Sequence, residues 1–157
     1  MSGNAKDKKL AMRPFARSLP MQLLRAREAL MQEFRPHLRE HGLSEQQWRV
    51  LRALAEAGSM DINALGEMCQ IHPASLSRML PNLEGEGRIE RRTSRQDQRY
   101  VIVSITAKGK SLFQRVAKES EQIYASIEQR IGSRELKTLY ELLDKAIRVA
   151  PEQIESN

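Results

Sequence analysis

The chain has 157 residues, with 26 Lys plus Arg against 20 Asp plus Glu and a formal net charge of +6. That length suits one domain with at most an added dimerising element and excludes a multi-domain enzyme, while no apolar run approaches the roughly 18 residues of a membrane span. A single cysteine, Cys69, excludes an intramolecular disulfide framework, and with no signal-peptide pattern the sequence reads as a soluble cytoplasmic protein without membrane contact.

The first dozen residues are small, polar and basic, and residues 1–16 are expected to be a disordered tail ahead of a single domain over 17–157. From Leu19 the apolar positions Leu23, Leu30, Phe34 and Leu38 recur at helical spacing. Pro36 should bend or end this first helix, and Gly42 closes the segment. Ser44 with Gln47 three positions on predicts a capping box for a second helix, stapled by Leu43 against Trp48 and stopping at Gly58. Asp61 caps a short third helix with Ile62, Leu65 and Cys69 on its apolar face.

A fourth helix begins at Pro73 and runs to about Glu84. Leu76, Met79, Leu80 and Leu83 lie on one side, and Ala74, Ser77, Arg78 and Pro81 on the other, with Ser75 at the edge. Two short helices joined by a tight turn, the second with a polar outward face, match a helix-turn-helix whose second helix enters the major groove. The period then changes from helical to two over residues 88–93 and 100–105, a hairpin or wing. Between positions 88 and 99, Arg88, Arg91, Arg92, Arg95 and Arg99 stand against Glu90 and Asp97, so twelve residues hold +3 of the charge and point to a polyanionic partner.

Thr106 caps the next helix, which carries Leu112, Val116, Ile123, Ile127 and Ile131. Gly132 breaks it, Ser133 caps another, and Leu136, Leu139, Tyr140, Leu143 and Ile147 continue to Pro151. Both carry more apolar surface than one winged-helix unit can cover. The expected fold is mainly α with a small β-hairpin wing: a winged helix-turn-helix over 44–105, with dimerisation helices over 17–41 and 106–150.

This order of elements resembles the MarR family of bacterial transcriptional regulators. Residues 80–110, LPNLEGEGRIERRTSRQDQRYVIVSITAKGK, are similar to the family's wing signature at Leu83, Glu84, Gly87, Asp97, Arg99, Thr106 and Gly109. Residues 12–58 resemble a subgroup that represses aromatic-catabolic operons, through Arg17, Ser18, Leu19, Pro20, Arg25, Phe34, Arg35, Pro36 and the run 45–54. Pro81 departs from the family, which usually carries a polar helix former there; a kink at Pro81 would re-aim Ser77.

A DNA reader needs phosphate neutralisation for affinity and base-edge contact for specificity. The expected DNA-binding set is Ala74, Ser75, Ser77, Arg78, Arg95, Asp97 and Arg99. Arg78 is expected to reach a base edge, guanine first, or else a phosphate beside it, Arg99 to enter the minor groove, and Asp97 to orient Arg99 or Arg95. Arg91, Arg92 and Arg95 serve phosphate contacts or solubility alone. The resemblance implies a homodimer on a pseudo-palindromic operator and a small aromatic carboxylic acid effector, for which Arg17, Arg25, Trp48 and Arg49 offer cations and an apolar wall.

His37 and His41 have a zinc-compatible spacing but no third ligand, so no metal and no cofactor is expected. With no phosphate-binding glycine loop and no nucleophile elbow, no catalytic residue is assigned. Two other readings compete: a winged helix used for protein contact or architectural DNA binding without ligand control, and a redox-sensing regulator acting through Cys69, although burial as a small hydrophobe suits Cys69 better.

Overall fold

The computed structural model describes residues 12–149; the expectations for residues 1–11 and for Pro151 fall outside them. Phe15–Arg17 form one 3-10 turn, so the end of the stretch expected to be disordered is ordered at Phe15 and Ala16. The order is then α1 (Leu19–Glu40), α2 (Glu45–Ala57), β1 (Ser59–Asp61), α3 (Ile62–Cys69), α4 (Pro73–Gly85), β2 (Ile89–Thr93), β3 (Val101–Ile105), α5 (Ala107–Ile131) and α6 (Ser133–Arg148).

Local chemistry accounts for most of these boundaries. Ser44 and Gln47 form the capping box of α2, through Gln47 N–H to Ser44 Oγ at 3.1 Å and Ser44 N–H to Gln47 Oε1 at 2.9 Å. Asp61 accepts from the amides of Asn63 and Ala64, and Thr106 from that of Gly109. Ser133 departs from expectation. Gly132, at φ +99°, is the N-cap of α6 without a side-chain cap, and the Ser133 hydroxyl donates to Glu128 Oε1 at 2.7 Å.

Neither proline ends its helix. Pro36 removes the amide hydrogen that would reach the carbonyl of Gln32, yet α1 continues to Glu40 because Phe34, His37 and Leu38 are buried on both sides of it. Pro81 likewise sits inside α4, which runs on to Gly85, held by the buried Leu76, Met79, Leu80 and Leu83. Pro36 and Pro81 both face solvent, where a carbonyl that loses its helical partner can turn to water.

One element is absent from the sequence reading. β1 pairs antiparallel with β3, making a three-stranded sheet in the order β1-β3-β2, with Ser59 opposite Ser104 and Ile89 opposite Ile105. The core lies between α2, α3, α4, the sheet and the first half of α5, where Val50, Leu51, Leu54, Leu65, Leu80, Leu83, Val103 and Val116 are fully buried. Trp48 belongs to it, stacked on Phe113 of α5 at 5.5 Å. By contrast, none of α6 is buried, and it presents Leu139, Tyr140, Leu142 and Ile147 outward.

An ion-pair ring fastens α1 to the start of α2. Arg27 bonds Glu28 at 2.9 Å and Glu45 at 2.6 Å, while Arg35 bonds Glu28 at 2.6 Å and also Glu45. Burial pushes the Glu45 carboxyl up, but the hydrogen bonds from Arg35 and Arg27 more than offset it and leave the group below its ordinary value. A depressed carboxylate contributes stability that is present above the unfolded-state value and is lost as pH falls through the folded one. In acid titrations followed by circular dichroism, wild type is expected to lose more stability than Glu45→Gln below the ordinary glutamate range; parallel curves would discount the ring.

Candidate nucleic-acid interface

α4 is positioned at its start by His72, whose Nδ1 accepts from Ala74 N–H at 3.2 Å, and by Pro73, which needs no amide partner at the first helical position. Gln70, in the left-handed region at φ 51°, makes the turn from α3. With Leu76, Met79, Leu80 and Leu83 buried, helical geometry turns Ala74, Ser77 and Arg78 to solvent, and all three are exposed; Ser75 is partly buried at the edge. Beside them a cleft of about 930 Å³ opens between α3 and α4, lined by Asn63, Glu67, Gln70, His72 and Ser77 among others.

The wing follows directly. Gly87, at φ +71°, turns the chain into β2, and the Thr106 hydroxyl donates to the Gly87 carbonyl at 2.6 Å. At the tip Arg99 is held by Asp97 through Nε at 3.0 and 3.1 Å and Nη2 at 2.7 Å, with its own amide on Asp97 Oδ1 at 3.0 Å. Asp97 thus orients Arg99, not Arg95. The hydrogen bonds from Arg99 hold the Asp97 carboxyl below its ordinary value, and the same contact raises the guanidinium. Arg99 stays 85% exposed, so it is braced yet available.

The basic stretch is less free than its composition suggests. Arg88 pairs with Glu86 at 2.9 Å, Arg91 with Glu84 at 2.7 Å and Arg92 with Glu90 at 2.8 Å. Arg91 and Arg92 thus each have a carboxylate partner within the chain, Arg92 while remaining 75% exposed. Among the described residues, Arg95 alone of the five lacks an acidic partner.

The residues expected to hold an effector are not gathered into one cluster. Arg17 closes the 3-10 turn, Arg25 lies exposed on α1, and Trp48 is buried in the core. Arg49 lies near enough to Cys69 for its charge to act on the thiol, and its buried Nε has no partner among the described residues. Sequence reasoning missed a neighbour. Arg52, one turn after Trp48, donates to the Tyr124 hydroxyl at 3.0 Å and lies 5.9 Å from that ring's centre, while Phe34 packs on Tyr124 at 4.8 Å. A cation, a phenol and two aromatic faces thus converge where α1, α2 and α5 meet; the partners lie 72 residues apart, too far for any sequence window to pair.

His37 and His41 face α5. His37 Nε2 meets the Ser120 hydroxyl at 3.2 Å, and His41 Nε2 meets Glu119 at 3.1 Å. No cluster of three metal-ligating side chains occurs among the described residues. Cys69 is buried, and burial pushes its thiol up despite the partly offsetting charge of Arg49, opposite to what a reactive thiol needs. No described helix is long and apolar enough to cross a membrane.

A polar outward helix after a tight turn, followed by a hairpin with a braced cation at its tip, defines a winged helix-turn-helix DNA-binding regulator. The chain belongs to the MarR family, whose pattern matches residues 43–101. It is 38% identical over 130 residues to the homoprotocatechuate degradative operon repressor of Escherichia coli, across 83% of this chain and 88% of that protein. Among solved structures it is similar to transcriptional regulator PA4135, with TM-score 0.82 and 40% identity over 88% of this chain and 100% of that one. It is also similar to NadR in complex with 4-hydroxyphenylacetate, with TM-score 0.77 and 34% identity over 88% of this chain and 99% of that one.

Proposed function

We propose that the protein is a homodimeric repressor of an aromatic-compound catabolic operon, acting in the cytoplasm and released from a pseudo-palindromic operator by a small phenolic or aromatic acid. It is a regulator and not an enzyme. The observation that carries the reading is the pairing of an exposed Ser77–Arg78 face with the Asp97-braced Arg99, in a chain 38% identical to an aromatic-catabolism repressor. The outward apolar face of α6 and the exposed Leu19, Leu23 and Leu24 of α1 support the dimer, since contiguous apolar patches of this kind mark interfaces. A twofold axis then presents the same helix to each half-site.

For the effector, Arg52, Tyr124 and Phe34 supply a cation and ring faces, and the orphan Nε of Arg49, one turn from Arg52 on α2, is a donor that a carboxylate would satisfy. The neighbour bound to 4-hydroxyphenylacetate supports this ligand class. Release works by differential affinity: the acid must bind better to dimers whose recognition helices are wrongly spaced for successive major grooves.

Calorimetry with 4-hydroxyphenylacetate, homoprotocatechuate, salicylate and ferulate, paired with gel shifts, tests it. At least one acid is expected to bind and to weaken operator binding, and Arg52→Ala to raise its Kd about tenfold or more, the scale of a lost charge-assisted hydrogen bond. No heat and no release with any of the four would overturn the effector reading.

A further inference from the structure

We propose that Glu84 is a positioning residue that sets the angle of the wing against the recognition helix α4, and so decides whether both reach their grooves together. The inference rests on the DNA-binding reading and adds to it a residue that touches no DNA. Glu84 lies in the last turn of α4, and both its carboxylate oxygens are taken by Arg91 of β2. Arg91 Nε and Nη2 donate to Oε2 at 3.0 and 2.7 Å, and the Arg91 amide donates to Oε1 at 3.1 Å.

Three observations converge on this contact. The wing is otherwise fastened at its base: Ile89 and Ile105 are buried opposite each other, Thr106 bonds the Gly87 carbonyl, and Arg88 meets Glu86 and the carbonyl of Gly42. Those contacts leave the hairpin a pivot, whereas the Glu84 brace acts two residues beyond Ile89 and ties the hairpin to the helix that reads bases. At about 3.3 Å per residue the tip lies roughly 20 Å from the base, so a swing of about 10° displaces it by about 3 Å, the length of a hydrogen bond.

The second observation is where the acid stands. A carboxylate in the last turn of a helix opposes the macrodipole, and this turn holds no basic residue, so the local preference is broken and the contact with Arg91 supplies the compensation. The third is strand position. β2 is an edge of the sheet, and Glu84 takes the outward amide of Arg91 that an edge strand would leave open. The charge pair also holds the Glu84 carboxyl below its ordinary value, so the brace stays ionised at neutral pH.

The test uses the full chain and a duplex that wild type selects from random sequence. Hydroxyl-radical cleavage reads the minor groove under the wing, and methylation interference at guanine N7 reads the major groove under α4. Glu84→Ala is expected to lose the minor-groove protection and about tenfold in affinity, the scale of one lost groove contact, with the guanine pattern and melting temperature unchanged. The charge-swapped pair Glu84→Arg with Arg91→Glu is expected to recover part of the protection.

Unchanged minor-groove protection in Glu84→Ala would overturn the proposal. So would equal weakening in both grooves together with a lowered melting temperature, since that is the signature of a merely structural residue. A wild type that selects no sequence at all would overturn the DNA-binding reading itself, and the brace with it.

Discussion

Gly109→Ala is expected to destabilise the protein by about 1–3 kcal/mol, the usual range for forcing a methyl into a packed site. Gly109 lies in the first turn of α5, buried against the chain that leads from α4 into the wing. A Cβ there would stand 2.1 Å from the carbonyl oxygen of Arg88 and 2.8 Å from Ile105 Cγ1. The first of these is backbone and cannot rotate away, so either the start of α5 or the base of β2 must move. Moving either strains the hydrogen bond from the Thr106 hydroxyl to the Gly87 carbonyl and the one that the Thr106 N–H donates to the Arg88 carbonyl at 3.2 Å. Differential scanning calorimetry should show a fall in melting temperature of about 3–10 °C for a chain of this size. Gly85→Ala is the control, because nothing lies within 4 Å of its Cβ position, and it should be neutral or slightly stabilising. An unshifted transition in Gly109→Ala would show that the wing base is not as tightly seated as the geometry indicates.

Arg78→Ala is expected to cost about 1–3 kcal/mol of operator binding, and to relax the preference for one base pair in each half-site. The residue is exposed at the centre of the outward face of α4, beside Ser77, and no carboxylate of the chain pairs with it among the described residues. The comparison that isolates its role is Arg95→Ala. A phosphate-contacting arginine should flatten the dependence of log affinity on log salt by about one unit while leaving sequence preference intact. Fluorescence anisotropy at several salt concentrations, on the selected duplex and on scrambled duplex, separates the two. If Arg78→Ala weakened both duplexes equally, the assignment of α4 as the reading helix would fail.

Much of this architecture was legible because its signals are local. The caps at Ser44, Asp61 and Thr106, the proline opening α4 and the Asp97–Arg99 pair two residues apart each depend on neighbours within one turn of chain. What escaped depends on distance. β1 is three residues long with no alternation of its own, and exists because it lies along β3, more than forty residues away. Pro36 and Pro81 obey their local rule only until the burial of flanking side chains outweighs it. The partners of Arg88 and Arg91 lie just outside the basic run, at Glu86 and Glu84, so counting charge between positions 88 and 99 overstated what a duplex would meet. Arg52 and Tyr124 share no sequence signal at all and meet only when α2 packs on α5.

The matching of four wing guanidiniums by the chain's own carboxylates bears on how such a protein searches a chromosome. Each phosphate contact displaces condensed counterions, and this favours any stretch of duplex regardless of its letters. A wing whose Arg88 and Arg91 are already paired gains less from that release than its five arginines suggest, so more of the time spent at a true site depends on the fit of the groove contacts.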